Sequence, residues 1–86
     1  MLHSIYATNM GRQPKQDKDQ LINHVESFRT NLGLSRQQLA DTVGVHLQTI
    51  GYIERGEYAP TLALALRLAK ALNCTVEDLY QPKESN

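Results

Sequence analysis

An all-α fold of five helices is predicted for this chain by three observations. Apolar residues recur every three or four positions along much of its length, the spacing that lines one face of a helix. The rows Ser35-Arg36-Gln37-Gln38 and Thr75-Val76-Glu77-Asp78 carry the capping-box pattern that opens helices, with Asp78 where a glutamate is more usual. Gly33 and Gly44 follow periodic runs, at places where a chain leaving a helix favours the left-handed backbone.

The elements follow in order. Residues 1–17 lack periodicity, with Met10, Gly11 and Pro14 among polar residues, and read as a flexible N-terminal arm. The domain is expected over 18–81. Helix one is expected from about Lys18 to Leu32, capped by Asp17 or Asp19, with Leu21, Ile22, Val25, Phe28 and Leu32 on one face. Ser35 opens helix two, which turns Leu39, Ala40 and Val43 inward. Ala40 is small enough to let the next helix approach closely. Helix three runs from about His46 to Glu54, held by Ile50 and Ile53 because Thr49 and Gly51 are poor helix formers. A loop from Arg55 to Pro60 leads to Thr61, the cap of a fourth helix over Leu62–Leu72. That helix is apolar nearly all round, broken by Arg67 and Lys70, and is expected to cover the core and a second subunit as well, with the Leu79–Tyr80 end as a further candidate dimer surface. Asn73 closes it. A short fifth helix ends near Tyr80, and residues 82–86 read as a frayed terminus.

The stretch Arg36–Arg55, RQQLADTVGVHLQTIGYIER, organises the rest. Two short helices meet at Gly44. Leu39, Ala40, Val43, Val45, Ile50 and Ile53 face inward, while Leu47, Gln48, Gly51, Tyr52 and Arg55 share an outward stripe of the second helix. An apolar back with a mixed polar front suits a helix held by a protein and laid in a DNA groove. The stretch therefore reads as a helix-turn-helix.

Composition limits the function classes. At 86 residues the chain has room for one small domain, and a homodimer would bury further apolar surface. Nine basic and nine acidic residues cancel, which excludes binding to nucleic acid by bulk charge alone but not a local positive surface. Cys74 is the one cysteine, so no internal disulfide forms; it is expected as a small core residue of a protein in a reducing, cytoplasmic setting. The run Leu62–Leu66 is too short to cross a bilayer, and residues 1–20 hold no secretory signal core. His3, His24 and His46 lack metal-ligand spacing, and no glycine-rich phosphate loop or nucleophile motif occurs. No enzyme activity, metal, cofactor or small-molecule effector is expected.

The blocks LGLSRQQLADTVGV, QTIGYIERGEYAPTL and ALRLAKALNCTVEDLY, in that order and spacing, resemble the phage-repressor and Cro type of helix-turn-helix domain, the xenobiotic-response-element family. The resemblance covers about Leu21 to Tyr80. It implies a five-helix phage-repressor-like domain that binds a pseudopalindromic operator in double-stranded DNA, usually as a homodimer. It places Arg36 on a phosphate near a helix N-terminus, His46, Leu47 and Gln48 at the start of the recognition helix, and Tyr52 one turn on. Arg55 and the loop through Tyr58 fall where the family touches phosphates. Arg29 and Glu54 match a partly buried ion pair joining helix one to the end of helix three. His46 stands where serine or threonine is common, and Leu47, Gly51 and Glu57 replace residues that are often basic or amide-bearing.

The candidate DNA-binding set is thus Arg36, Gln37, His46, Leu47, Gln48, Thr49, Tyr52, Arg55 and Tyr58. Gln48 offers a donor and an acceptor together, a match for the adenine edge in the major groove. Leu47 either meets a thymine methyl or folds over Val45. Tyr52 either bonds a phosphate or sugar, or is a half-buried boundary residue. Arg36 and Arg55 would set register without reading sequence. His46 either contacts phosphate or serves as a helix cap. Gly51 either admits close approach of the backbone to DNA or is a tolerated substitution. Arg12, Lys15 and Lys18 make the arm either a loose tail or a strand lying on phosphates or in a minor groove. The function expected is a sequence-specific transcriptional regulator, by default a repressor that occupies its operator, with activation as in restriction–modification controller proteins still open. The rival is an antitoxin-like or antirepressor-like protein-interaction module docking through helix four.

Overall fold

The computed structural model describes residues 21–83. Among the described residues, five helices pack around one core: α1 (Val25–Asn31), α2 (Arg36–Val43), α3 (Leu47–Glu54), α4 (Leu62–Ala71) and α5 (Val76–Leu79). Two short strands, β1 (Leu21–Asn23) and β2 (Tyr80–Pro82), bracket them as an antiparallel pair in the register Leu21↔Pro82, Ile22↔Gln81 and Asn23↔Tyr80. The arm expected at 1–17, with Lys18, lies outside the described residues.

The strands correct the start of helix one. Residues 21–23 are extended and the helix begins at Val25. Asn23 decides this: its Oδ1 accepts the Val25 N–H at 3.1 Å and its Nδ2 donates to the Ile53 carbonyl at 3.1 Å. An asparagine that bonds the backbone two residues on competes with helical hydrogen bonding at its own position. His24 N–H then donates to the Leu79 carbonyl at 2.8 Å, tying the helix start to the end of α5. Leu21, Ile22 and Leu32 are 54%, 41% and 49% exposed, so of the apolar face expected for helix one only Val25 and Phe28 pack on the core.

The other helix ends follow their local chemistry. Ser35 Oγ accepts the Gln38 N–H at 3.0 Å, and Gln38 Oε1 accepts the Ser35 N–H at 2.8 Å. Gly44 takes φ +80°, a left-handed value that a Cβ penalises, and sends its N–H to the Ala40 carbonyl at 2.8 Å. Thr61 Oγ1 caps α4 through the Leu64 N–H, and Thr75 and Asp78 exchange both capping bonds at 3.0 Å. Arg67 Nε donates to the Val43 carbonyl at 3.2 Å, satisfying a carbonyl that the last turn of α2 leaves open.

The core joins Val25, Leu39, Ala40, Val43, Ile50, Ile53, Leu64, Leu68, Ala69, Leu72 and Leu79. It is built on the back faces of α2 and α3, so the turn between them is held from behind. Leu62 and Leu66 stay 70% and 56% exposed on the outer side of α4, the apolar surplus the sequence predicts there. Cys74 is half-buried against the core rather than within it, and burial, with Asp78 nearby, pushes its thiol pKa up. No described helix is long and apolar enough to cross a membrane.

Candidate nucleic-acid interface

The α2–Gly44–α3 unit presents α3 with Ile50, Gly51 and Ile53 buried and with His46, Leu47, Gln48, Tyr52 and Arg55 exposed. Thr49 is half-buried and Tyr58, in the following loop, is exposed. Leu47 is 43% exposed and Tyr52 46%, large apolar areas to leave in water on one helix. Gln48 is exposed beside Leu47, and its amide has no hydrogen-bond partner among the described residues.

His46 occupies the N-cap position of α3 in extended backbone, but its side chain makes no capping hydrogen bond. It is therefore not a substitute for the capping serine or threonine. The first N–H groups of α3 receive no hydrogen bond from the N-cap side chain, a geometry that suits an anionic oxygen.

Behind this face lies an ion network. Glu54 closes α3 with its side chain only 2% exposed. Its Oε2 accepts Arg29 Nε at 2.6 Å, and its Oε1 accepts Arg36 Nε at 2.8 Å and Arg29 Nη2 at 3.3 Å. Arg29, buried, sends Nη1 to the Leu34 carbonyl at 2.8 Å, so the pair ties α1, the α1–α2 turn and α3 together. Burial works to raise the Glu54 pKa, but the hydrogen bonds and charges of Arg29 and Arg36 outweigh it and hold the carboxyl below its ordinary value. Arg36 stays half-exposed, with Glu26 Oε2 3.9 Å from its Nη2. The hydrogen bond to Glu54, with its charge, raises the guanidinium pKa.

The sequence reading missed the partners of Arg36, Gln37 and Arg55. Arg36 shares Glu54 with Arg29, Gln37 Nε2 donates to Asp41 at 2.8 Å, and Arg55 pairs with Glu57 at 3.2 Å while its guanidinium lies 5.1 Å from the Tyr52 ring centre. The Gln37–Asp41 contact was available from its i, i+4 spacing. The Arg36–Glu54 contact depends on how α2 crosses α3, and no linear spacing encodes it. Gly51 does not open the helix backbone to a ligand: it is buried, and Arg55 lies across it.

A small helical domain with a helix pair joined at a left-handed glycine, its second helix apolar behind and mixed polar in front, defines the helix-turn-helix class. Comparison with known proteins agrees. The chain belongs to the helix-turn-helix family HTH_3, whose pattern it matches over residues 25–79, and it is a transcriptional regulator with a helix-turn-helix DNA-binding domain. It is 42% identical over 64 residues to the uncharacterized HTH-type transcriptional regulator YgzD of Bacillus subtilis, covering 74% of this chain and 97% of YgzD. It is 44% identical over 62 residues to the control protein C.SmaI of Serratia marcescens, covering 72% and 74% of the two chains. Its fold is similar to the clp gene regulator ClgR of Corynebacterium glutamicum, with TM-score 0.61, 28% identity and coverage of 63% of this chain and 57% of ClgR.

Proposed function

We propose that this chain is a sequence-specific repressor that binds a pseudopalindromic operator as a homodimer, laying α3 of each subunit in the major groove. The observation that carries the reading is the exposed α3 stripe of Leu47, Gln48 and Tyr52 above a buried Ile50–Ile53 back, with a helix N-terminus no side chain caps. In this arrangement Gln48 pairs with an adenine edge, Leu47 packs on a thymine methyl, and Tyr52 and Tyr58 border the sugar-phosphate backbone. Arg36 and Arg55 set register, and Gln37 and Thr49 flank the backbone contacts. His46 sits where a phosphate meets the helix start. The second subunit covers Leu62 and Leu66. Leu79 is not part of that surface, because it is fully buried. A regulator of this kind acts in the cytoplasm, where its operator lies.

Selection from a random duplex library, with the retained DNA sequenced, tests the reading. A palindrome whose half-sites lie about one helical turn apart supports a dimer that places two α3 helices on one face of DNA. Enrichment of no sequence overturns it, and the apolar side of α4 then becomes the bait for a protein partner. A selected site that raises transcription from a linked promoter would make the chain an activator instead of a repressor.

A further inference from the structure

Arg55, 55% exposed, has contacts on two sides and the open space above Gly51 on a third. Its Nε lies 3.2 Å from Glu57 Oε2 and its Nη2 3.3 Å from Glu57 Oε1, so the carboxylate takes the Nε–Nη2 edge of the guanidinium in a fork. The same guanidinium lies over the Tyr52 ring at 5.1 Å. It also crosses Gly51, where a Cβ would come within 3.2 Å of Nη1 and would meet no other residue from outside its own stretch of helix. Nη1 has no partner among the described residues. Arginine loses much rotamer freedom when it is ordered, and a group ordered before binding loses less on binding.

We propose that Gly51 and Glu57 are positioning residues that hold Arg55 flat on α3, so that the N–H groups Glu57 leaves open meet one backbone phosphate of the duplex. Gly51 is then the residue that α3 requires for Arg55 rather than for DNA. Glu57, a residue whose charge opposes DNA, fixes a cation and cancels its long-range pull at once. A neutral Arg55–Glu57 pair adds little to loose association along any duplex, where mobile cations serve as well. It adds register where the phosphate falls in one place, as it does on a matched site. Glu57 therefore exchanges general affinity for a larger ratio of specific to non-specific binding. This inference rests on the DNA-binding reading above.

The test uses the full chain, Glu57→Gln and Gly51→Ala, each titrated against the duplex enriched from the random library and against a scrambled duplex of the same length and composition. For Glu57→Gln the expected result is tighter binding to the scrambled duplex and a specific-to-non-specific ratio reduced about three- to tenfold, the scale of one lost preorganised contact. Gly51→Ala should lower the same ratio while raising the melting temperature, because alanine favours helix and meets only the movable guanidinium. A separate readout needs no DNA: the Arg55 Nε–H order parameter from 15N relaxation should stand above about 0.6 in the parent and fall in both variants. Equal gains on both duplexes for Glu57→Gln, or an Arg55 Nε–H already mobile in the parent, overturn the positioning role and leave the DNA-binding reading standing. Failure of the parent to enrich any duplex overturns that reading and this inference with it, even if the Arg55 Nε–H is ordered.

Discussion

Glu54 has two arginine partners and almost no water, and that combination sets its energetics. Removing one member of a buried pair strands the other charge, at a cost of about 3–5 kcal/mol. Glu54→Ala strands buried Arg29 and is expected to lower stability by that order in urea denaturation; a melting temperature equal to the parent's would refute the assignment. The folded carboxyl holds its proton more weakly than the unfolded one, whose value is near 4.5. The stabilisation is therefore whole above that value and is lost as pH falls through the lower folded value. In Glu54→Gln this part of the acid destabilisation should disappear, which the urea midpoint measured across the acidic range reads directly. Gln48 belongs to the opposite kind of residue, exposed and unpartnered on the face of α3. Gln48→Ala should leave the melting temperature unchanged and weaken binding to the selected duplex by about 1–3 kcal/mol, the discrimination of one bidentate base contact.

At the scale of elements, caps and turns were the readable part of the sequence. Ser35 with Gln38, Thr75 with Asp78, Thr61 and Gly44 act within four residues of themselves, so their roles follow from local chemistry. Ser35→Ala should cost about 1 kcal/mol of stability by loss of the cap. Gly44→Ala should cost about 1–2 kcal/mol because its backbone is left-handed. Paired thermal melts check both, and a larger loss for the serine variant would contradict the ordering. What was not legible came from partners distant in sequence. Asn23 ends β1 and opens α1 by bonding Val25, but its second bond goes to Ile53, thirty residues on. Leu21 and Ile22 keep helical spacing with Val25, and the Asn23 side chain together with pairing to Gln81 and Pro82 draws them into a strand. Within the candidate site, the exposure of Leu47, Gln48 and Tyr52 was visible in the periodicity of α3. The capture of Arg36 by Glu54 was not, because the crossing of α2 over α3 creates it.

At the scale of the described domain, α3 presents one mixed polar and apolar face and α4 one exposed apolar side. Leu62 and Leu66 face water beside a recess of about 480 Å³ lined also by Cys74 and Val76. A second subunit seated there would make two α3 helices one rigid body. Leu66→Asp should then shift sedimentation at micromolar concentration from dimer to monomer and cut affinity for a two-half-site duplex far more than for a single half-site. A parent that sediments as a monomer would count against this surface.

The antiparallel pair of β1 with β2 also bears on how the chain finds its shape. Leu21 meets Pro82 across sixty residues of intervening chain, so this tiny sheet closes the longest loop in the described fold. Loop closure carries an entropic cost that rises with loop length. The sheet therefore carries the largest loop-closure cost among the described contacts, and prior packing of α2 to α4 lowers that cost. Joining the two strands by a short turn and opening the chain in the Arg55–Pro60 loop would turn that distant contact into a hairpin. The same native architecture would then be reached by a different order of events, with the two-stranded sheet changed from the costliest closure to a place where folding can begin.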